Sequence, residues 1–198
     1  MIFKARRQIS VRTVGDPVLS KPAAPILSVT PETVQLANEM LEALRVFNGI
    51  GIAAPQYGVS LRLVVLDVPE ESMEEVPSPG EEALLPRMPL ALVNPEILSY
   101  STALATHDEG CLSVPDLFAP VTRPQKVVFR SQTLDGELLE YECGGLLGRC
   151  IQHELDHLEG KLFIDRLSPE TARETAGEVK RLLRSGAKHD FLRTKKVK

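Results

Sequence analysis

Residues 148–163 read GRCIQHELDHLEGKLF, and no other stretch limits the possible folds of this chain so tightly. Leu147, Ile151, Leu155 and Leu158 recur at helical spacing, so the segment predicts a helix over 146–159 with a buried face. The same helix carries His153, Glu154 and His157. Side chains four positions apart lie one above the other, so His153 and His157 can offer ring nitrogens to one ion. Glu154 sits ~100° around the axis, where it can reach a bound water without displacing it. Two neutral ligands, a neighbouring carboxylate to take and return a proton, and an open position are the parts of a hydrolytic metal site. With four histidines in the chain, a chance H-E-x-x-H arises on the order of once per hundred such sequences.

Such a site needs a third protein ligand. The longer pattern H-E-x-x-H-x-x-G-x-x-H matches through Gly160 and then fails at Phe163, which removes the metzincin type of peptidase. A glutamate of the following helix (Glu170, Glu174 or Glu178) would make a thermolysin-like set. Upstream, Cys111 in DEGCLSVPD is the sharper candidate, because a thiolate suits a borderline-soft ion and metal binding explains a cysteine in a glycine-containing turn. The three cysteines, Cys111, Cys143 and Cys150, are too few and odd in number for a disulfide framework.

The remaining pattern predicts one domain over residues 1–198, without internal repeats. TPETVQLANEMLEALRVFNG predicts a helix from Pro31 to Asn48, capped by Thr30 and ended by Gly49, with Val34, Ala37, Leu41 and Leu44 on its apolar face. KVVFRSQTLDGELLEYEC predicts a hairpin with Asp135-Gly136 as a two-residue turn. A last helix starts at Ser168-Pro169-Glu170, with Ala172, Ala176, Val179 and Leu183 as its buried stripe. Between strands at 62–68 and 90–94 lies PEESMEEVPSPGEEALLPRMP, residues 69–89, with six glutamates and five prolines. Like charges and missing donors predict an exposed insert without a regular helix. The expected fold is therefore α+β: a single compact domain of antiparallel or mixed sheets around the central metal-binding helix, with one helix before it and one after.

Charge and hydropathy narrow the setting. No run approaches the ~20 apolar residues of a membrane span, and MIFKARRQISVR lacks the apolar stretch of a secretory signal; the cytoplasm is expected. Residues 180–198 hold eight Lys/Arg and one Asp, a local +7 within a net −4, leaving −11 on the rest. A basic tail, residues 185–198, on an acidic body suggests a polyanionic partner.

Three stretches stand in order: GIGIAAPQ at 49–56, EGCLS at 109–113 and QHELDH at 152–157. Gly49-x-Gly51-x-x-Ala54 alone could pass for a dinucleotide-binding turn, but it follows a helix and not a strand. Together the three stretches resemble the peptide deformylase family, and the likeness runs from GDPVLSKPA to KLFIDRLSP. The resemblance implies that Cys111, His153 and His157 hold one divalent ion, ferrous iron as the native metal, with zinc, nickel or cobalt able to replace it. It implies that water fills the fourth position, that Glu154 acts as base and then acid, and that the Gln56 amide and the Leu112 N–H stabilise an oxyanion. Substrate contacts fall to Gly49, Ile50, Gly51, Glu109, Leu146, Arg149 and Cys150, where Gly51 lets a peptide backbone approach and Ile50, Leu146, Cys150 and the Arg149 stem receive the methionine side chain. Cys150 is also placed to compete as a ligand. Glu109 is expected to pair with a base such as Arg123 and steady the Cys111 loop. His107 stands near the cleft, and Gly148 where the family has alanine.

The implied reaction is release of formate from N-formylmethionyl nascent peptides, with the ribosome as a partner through residues 180–198, no membrane, and a monomer as the working state. The competing enzyme class is a metallopeptidase with an H-E-x-x-H site. A non-catalytic module built on the same fold would have lost Glu154 or a ligand, and none is lost.

Overall fold

The structure, a computed structural model, describes residues 9–186 and 191–193. In chain order its elements are β1 (Ile9–Val11), α1 (Pro31–Val46), β2 (Gly51–Ala53), β3 (Leu63–Leu66), α2 (Pro79–Leu84), β4 (Leu90–Tyr100), β5 (Leu104–Cys111), β6 (Val114–Pro124), β7 (Val127–Gln132), β8 (Leu138–Cys143), α3 (Gly145–Leu158), α4 (Pro169–Gly186) and β9 (Phe191–Arg193). A five-stranded sheet runs β2-β3-β4-β7-β8, while β5 pairs only with β6 and β1 with β9. Every pairing between named strands is antiparallel, and an isolated parallel bridge joins Ala24 to Leu61. The α+β class holds.

The central sheet is covered on both faces, which explains why LVVL in β3 is apolar without alternation. Side chains still point to opposite faces in turn. Val64 and Leu66, with Leu90 and Leu92 of β4, join a core with Leu147, Ile151, Leu155 and Leu158 of α3. Leu63, Val65 and Val93 join a second core under α1. A third cluster gathers Val114, Leu117, Ala119 and Val121 of β6 with Leu162, Phe163 and Leu182. The helix with the two histidines is thus held by an apolar stripe against the sheet, with its other sides turned to the β5–β6 ribbon.

Several local expectations are corrected. Helix α1 starts at Pro31 with Thr30 as its cap and buries Ala37 and Leu44 as expected, but its buried face is completed by Thr33, Met40 and Ala43, with Leu41 at its edge and Val34 exposed; the face is centred on Met40 and so is rotated from the expected stripe. Helix α4 starts at Pro169 as expected and Val179 packs against the third cluster, but Leu182 is buried, whereas Leu183, Ala172 and Ala176 are exposed, because Leu182 is the side chain that reaches Phe163 and β6. The β7–β8 hairpin closes through three residues and not two, since the Thr133 N–H donates to the Glu137 carbonyl at 2.9 Å and Gly136 takes the left-handed conformation at φ 92°. Segment 69–89 is neither helix-free nor wholly exposed: Pro79–Leu84 is α2, and Leu84 and Leu85 are buried in the α3 core. Among the described residues no helix is long and apolar enough to cross a membrane. Most of the basic tail, 187–190 and 194–198, lies outside the described residues.

Two separate cores predict separable responses. Leu66→Ala and Met40→Ala should each cost about 2–5 kcal/mol in urea unfolding. Native-state hydrogen exchange should then quicken in α3 for the first and in α1 for the second. Equal loosening of both helices by either change would show one continuous core.

Candidate active site

The β5–β6 ribbon brings the distant cysteine to α3. Alternation along β5 turns Glu109 inward and leaves Asp108 outward. Between the pairs Gly110–Phe118 and Cys111–Val114 the register slips, so Pro115, Asp116 and Leu117 leave the ladder, with Asp116 at φ 62°. Such bulges bend a strand and re-aim side chains. Here the bulge forms one wall of a cleft and Cys111 ends at its floor.

Cys111, His153 and His157 present ligand atoms that all lie within 4.8 Å of one another, the one such group of three among the described residues. The Cys111 Sγ is 3.2 Å from the His157 Nε2. The His153 Nδ1 is 2.9 Å from the Glu109 Oε2, which leaves its Nε2 for an ion. The two imidazole rings are 5.1 Å apart at 71°. Phe163, which occupies the position of a third histidine in the longer motif, instead stacks on His153 at 6.4 Å and 22°. The His157 Nδ1 is buried without a partner. Burial, then the charges of His153 and Arg123, push the His157 pKa well down, so this ring is neutral. Burial also works to lower His153, but Cys111 and Glu109 beside it outweigh that and raise it; binding a cation there is coupled to release of a proton. One thiolate and two imidazoles in this array fit a divalent ion of the zinc and iron group.

Glu154 is 3% exposed, and its Oε2 has no hydrogen-bond partner. Burial pushes its pKa up to about 7, the range in which a carboxylate both takes and returns protons near neutral pH. Gly51 faces it closely: a Cβ there would lie 2.5 Å from the Glu154 Oε1 and 2.7 Å from the Cys150 Sγ. The demand for glycine at 51 therefore comes at least from Glu154 itself. The Gln56 Oε1 accepts the Ala53 N–H at 2.7 Å, which fixes the amide so that its Nε2 points to the Cys111 Sγ at 3.5 Å.

Glu109 is the centre of a buried ionic network. Arg123 grips both of its oxygens, Nε to Oε1 at 2.6 Å and Nη2 to Oε2 at 2.9 Å, and the Arg149 Nη1 adds a bond to Oε1 at 2.7 Å. Arg123 also donates to the Asp156 Oδ2 at 2.8 Å, and Arg166 closes on Asp156 from outside. Burial works to raise the Glu109 carboxyl, but hydrogen bonds from His153 and Arg123 and the Arg123 charge hold it well below the ordinary range.

A cavity of about 520 Å³ opens above this floor, and Gly49, Ile50, Gly51, Gln56, Glu109, Cys111, Leu112, Leu146, Arg149, Cys150, His153 and Glu154 all line it. His157 lies beneath it. The sequence assignments are thus brought together, with some roles changed. Cys150 is no competing ligand: its thiol is raised well above the ordinary range by burial and its Sγ lies 3.8 Å from the Ile50 carbonyl oxygen. The Arg149 head is bonded to Glu109 and to the carbonyls of Val121 and Ala105, so only its stem is left for the cavity. Glu170, Glu174 and Glu178 stand on α4, outside the ligand group, and Glu178 pairs with Arg181. His107 is exposed and does not line the cavity. Asp156 and Arg166 went unnoticed in the sequence; an acidic Asp156 next to Leu155 on a helix expected to be buried was the available signal.

The chain is similar to known proteins over most of its length. Residues 9–173 match the polypeptide deformylase family. Peptide deformylase 2 of Gloeobacter violaceus is 41% identical over 168 residues, 85% of this chain and 83% of that protein. The peptide deformylase of Dictyoglomus thermophilum is 40% identical over 161 residues, 81% and 94% of the two chains. Among solved structures, peptide deformylase from Ehrlichia chaffeensis in complex with actinonin has a TM-score of 0.76 at 31% identity, over 89% of this chain and 96% of that one. Peptide deformylase from Thermotoga maritima has a TM-score of 0.70 at 36% identity, over 82% and 99%.

Glu109→Gln keeps the shape of the network and removes its charge. Metal affinity should fall about 10–100-fold by chelator competition, and metal-free stability at pH 7 should fall by about 3 kcal/mol. Because folding depresses this carboxyl below its ordinary 4.5, its stabilisation is complete well above that value and is lost as pH falls below it. The wild-type advantage should narrow from about pH 5 to pH 3 in urea titrations; a gap constant over that window would place the effect elsewhere.

Proposed function

The chain belongs to the polypeptide deformylase family, and from that premise we propose that it removes the formyl group from the N-formylmethionyl end of nascent polypeptides, with Cys111, His153 and His157 holding one divalent cation. The observation that carries this reading is the buried Glu154 carboxylate, one oxygen of which has no hydrogen-bond partner, on the same helix as two of three convergent ligands; burial pushes its pKa up to about 7. When bound, the cation supplies Lewis acidity, lowering the pKa of a coordinated water and polarising a carbonyl oxygen. We infer ferrous iron as the native ion, as the family likeness implies, with zinc, nickel or cobalt able to take its place.

The chain's own residues supply the rest. Glu154 takes the proton of the attacking water and hands it to the departing amine, so that the C–N bond breaks with formate and a free N-terminus as products. The Gln56 amide and the Leu112 N–H donate to the formyl oxygen as charge develops on it, a contribution of about 3–4 kcal/mol for such a donor. Ile50, Leu146, Cys150 and the Arg149 stem receive the methionine side chain, while Gly49 and Gly51 leave room for the peptide backbone. Formyl-Met-Ala-Ser should yield formate with its peptide bonds intact; backbone cleavage without formate would revive the metallopeptidase reading. Metal analysis of protein purified without oxygen tests the assignment of iron.

Glu154→Gln should retain metal and lose about 10²–10⁴ in kcat/KM. Only the ionised carboxylate can take a proton, so wild-type kcat/KM should rise with pH along an acid limb. Its midpoint should lie below the metal-free value of about 7, since a neighbouring cation favours the charged form. That limb should vanish from the residual activity of Glu154→Gln.

We also propose that the enzyme acts as a cytoplasmic monomer on chains leaving the ribosome, and that residues 180–198, with a local charge of +7, contact ribosomal RNA. Ribosome co-sedimentation should weaken with salt and be lost when residues 187–198 are removed, with formate release from free peptide retained. Binding that ignores both changes would refute the contact.

A further inference from the structure

Helix α3 has no N-terminal cap of its own. Gly144 stands at the cap position without a side chain, and the first turn carries no acid. The first N–H groups of a helix lack intrahelical partners and need others, and here the chain enters the helix through the buried Gly144. The partner comes from segment 69–89. The Ser78 Oγ accepts the Gly144 N–H at 2.9 Å and donates to the Glu81 Oε2 at 2.7 Å. That same carboxylate oxygen accepts the Ser78 N–H at 2.9 Å. Ser78 and Glu81 are each 1% exposed. A Cβ on Gly145 would lie 2.6 Å from the Glu81 Oε1, so the Glu81 carboxyl oxygens sit against the positive end of the helix dipole.

The fit of the segment is close. A Cβ on Gly80 would lie 2.1 Å from the Cys143 Sγ and 2.8 Å from the Glu142 carbonyl oxygen. On the far side, a Cβ on Gly148 would lie 2.4 Å from the Cys143 carbonyl oxygen. The junction from β8 into α3 is therefore clamped between α2 and the first turn of α3. Leu84 and Leu85 extend that clamp into the core shared with α3.

We propose that Ser78 and Glu81 are positioning residues for the metal ligands: segment 69–89 caps α3 from elsewhere in the chain and sets the axial placement of His153 and His157 against Cys111. This rests on the reading of those three residues as a metal site. Small displacements matter at such a site. A helix advances ~1.5 Å per residue, whereas metal–ligand distances tolerate about 0.2 Å. A slide of a fraction of one residue is enough to spoil the set.

The test is cobalt titration of the full chain, with chelator competition for affinity and the visible ligand-field spectrum for geometry. Ser78→Ala and Glu81→Gln should each bind cobalt about fivefold more weakly, the change expected of one lost helix cap, with an altered spectrum and faster amide exchange at residues 144–147. Glu82→Gln, at an exposed neighbour, should match wild type. Met40→Ala, which loosens the other core, should lower stability without moving the spectrum. Rescue is the sharpest arm. Gly144 has φ −113°, and a Cβ there meets nothing closer than 3.4 Å, so Gly144→Ser can cap the helix by a different bond, accepting the Leu146 or Leu147 N–H, and should restore part of the affinity lost in Ser78→Ala. If wild type takes up cobalt and Ser78→Ala binds it equally well with an unchanged spectrum, the latch is wrong and the metal site stands. If Glu81→Gln does not fold, the Ser78 and Gly144 variants decide alone. A wild-type chain that takes up no cobalt overturns the metal reading and the latch together.

Discussion

The site depends on one buried carboxylate. Glu109 stands on the two-stranded β5–β6 ribbon, which shares no strand pairing with the central sheet. Its oxygens bind Arg123 from the same ribbon and Arg149 and His153 from α3. Ion pairs taken from water cost much of what they return, so such a network adds little net stability. Its contribution is geometric. Two oxygens in fixed directions hold a strand and a helix in one register, and Cys111 lies two residues from Glu109 while His157 lies four from His153. The interaction that orients one ligand thereby holds a second within reach.

Helix α3 is divided lengthwise by chemistry. Leu147, Ile151, Leu155 and Leu158 enter the sheet core. Arg149, His153 and Asp156, at helical spacing, meet the ionic network of the ribbon. Cys150 and Glu154 face the cleft and Gly51. An apolar stripe alone would let a helix roll or slide with little penalty. A charged stripe with bidentate geometry resists rolling, and the bond from the Gly144 N–H to Ser78 holds the start of the helix against sliding.

Much of this was legible in the sequence because it is local. His153, Glu154 and His157 follow from helical spacing, and the Asp135-Gly136 hairpin from turn chemistry. Cys111 was legible through chemical need, as an unmatched soft ligand beside an incomplete pair. What escaped is the product of tertiary partners. Val34 and Leu183 look apolar enough to be buried, but neighbouring positions face the available surface. Segment 69–89 looks too acidic and proline-rich to fold, yet Glu81 is satisfied by donors from its own segment and the two adjacent leucines lie in a core built by α3 and the sheet. The Arg149 stem was expected at the pocket, but where its charged end goes was not legible: it bonds Glu109, forty residues earlier, and the carbonyls of Val121 and Ala105.

The polar groups of the cleft fall into two kinds, and the division explains why one is reactive. Gln56 has its oxygen bonded to Ala53, Glu109 has both oxygens bonded, and the Cys150 thiol faces the Ile50 carbonyl. These groups hold position because their capacity is largely used. Glu154 has an oxygen without a partner, in a place where an unpaired polar atom costs about 1–3 kcal/mol. A carboxylate with a full set of donors would be more comfortable and also far more acidic, hence useless as a proton carrier near neutrality. The close face of Gly51 admits Glu154 without giving it a side-chain donor, so burial is the largest influence on its proton, ahead of the nearby charges of His153 and Arg123. The energetic defect and the chemical competence of Glu154 are the same property, and the saturated network around it is what keeps that defect from relaxing.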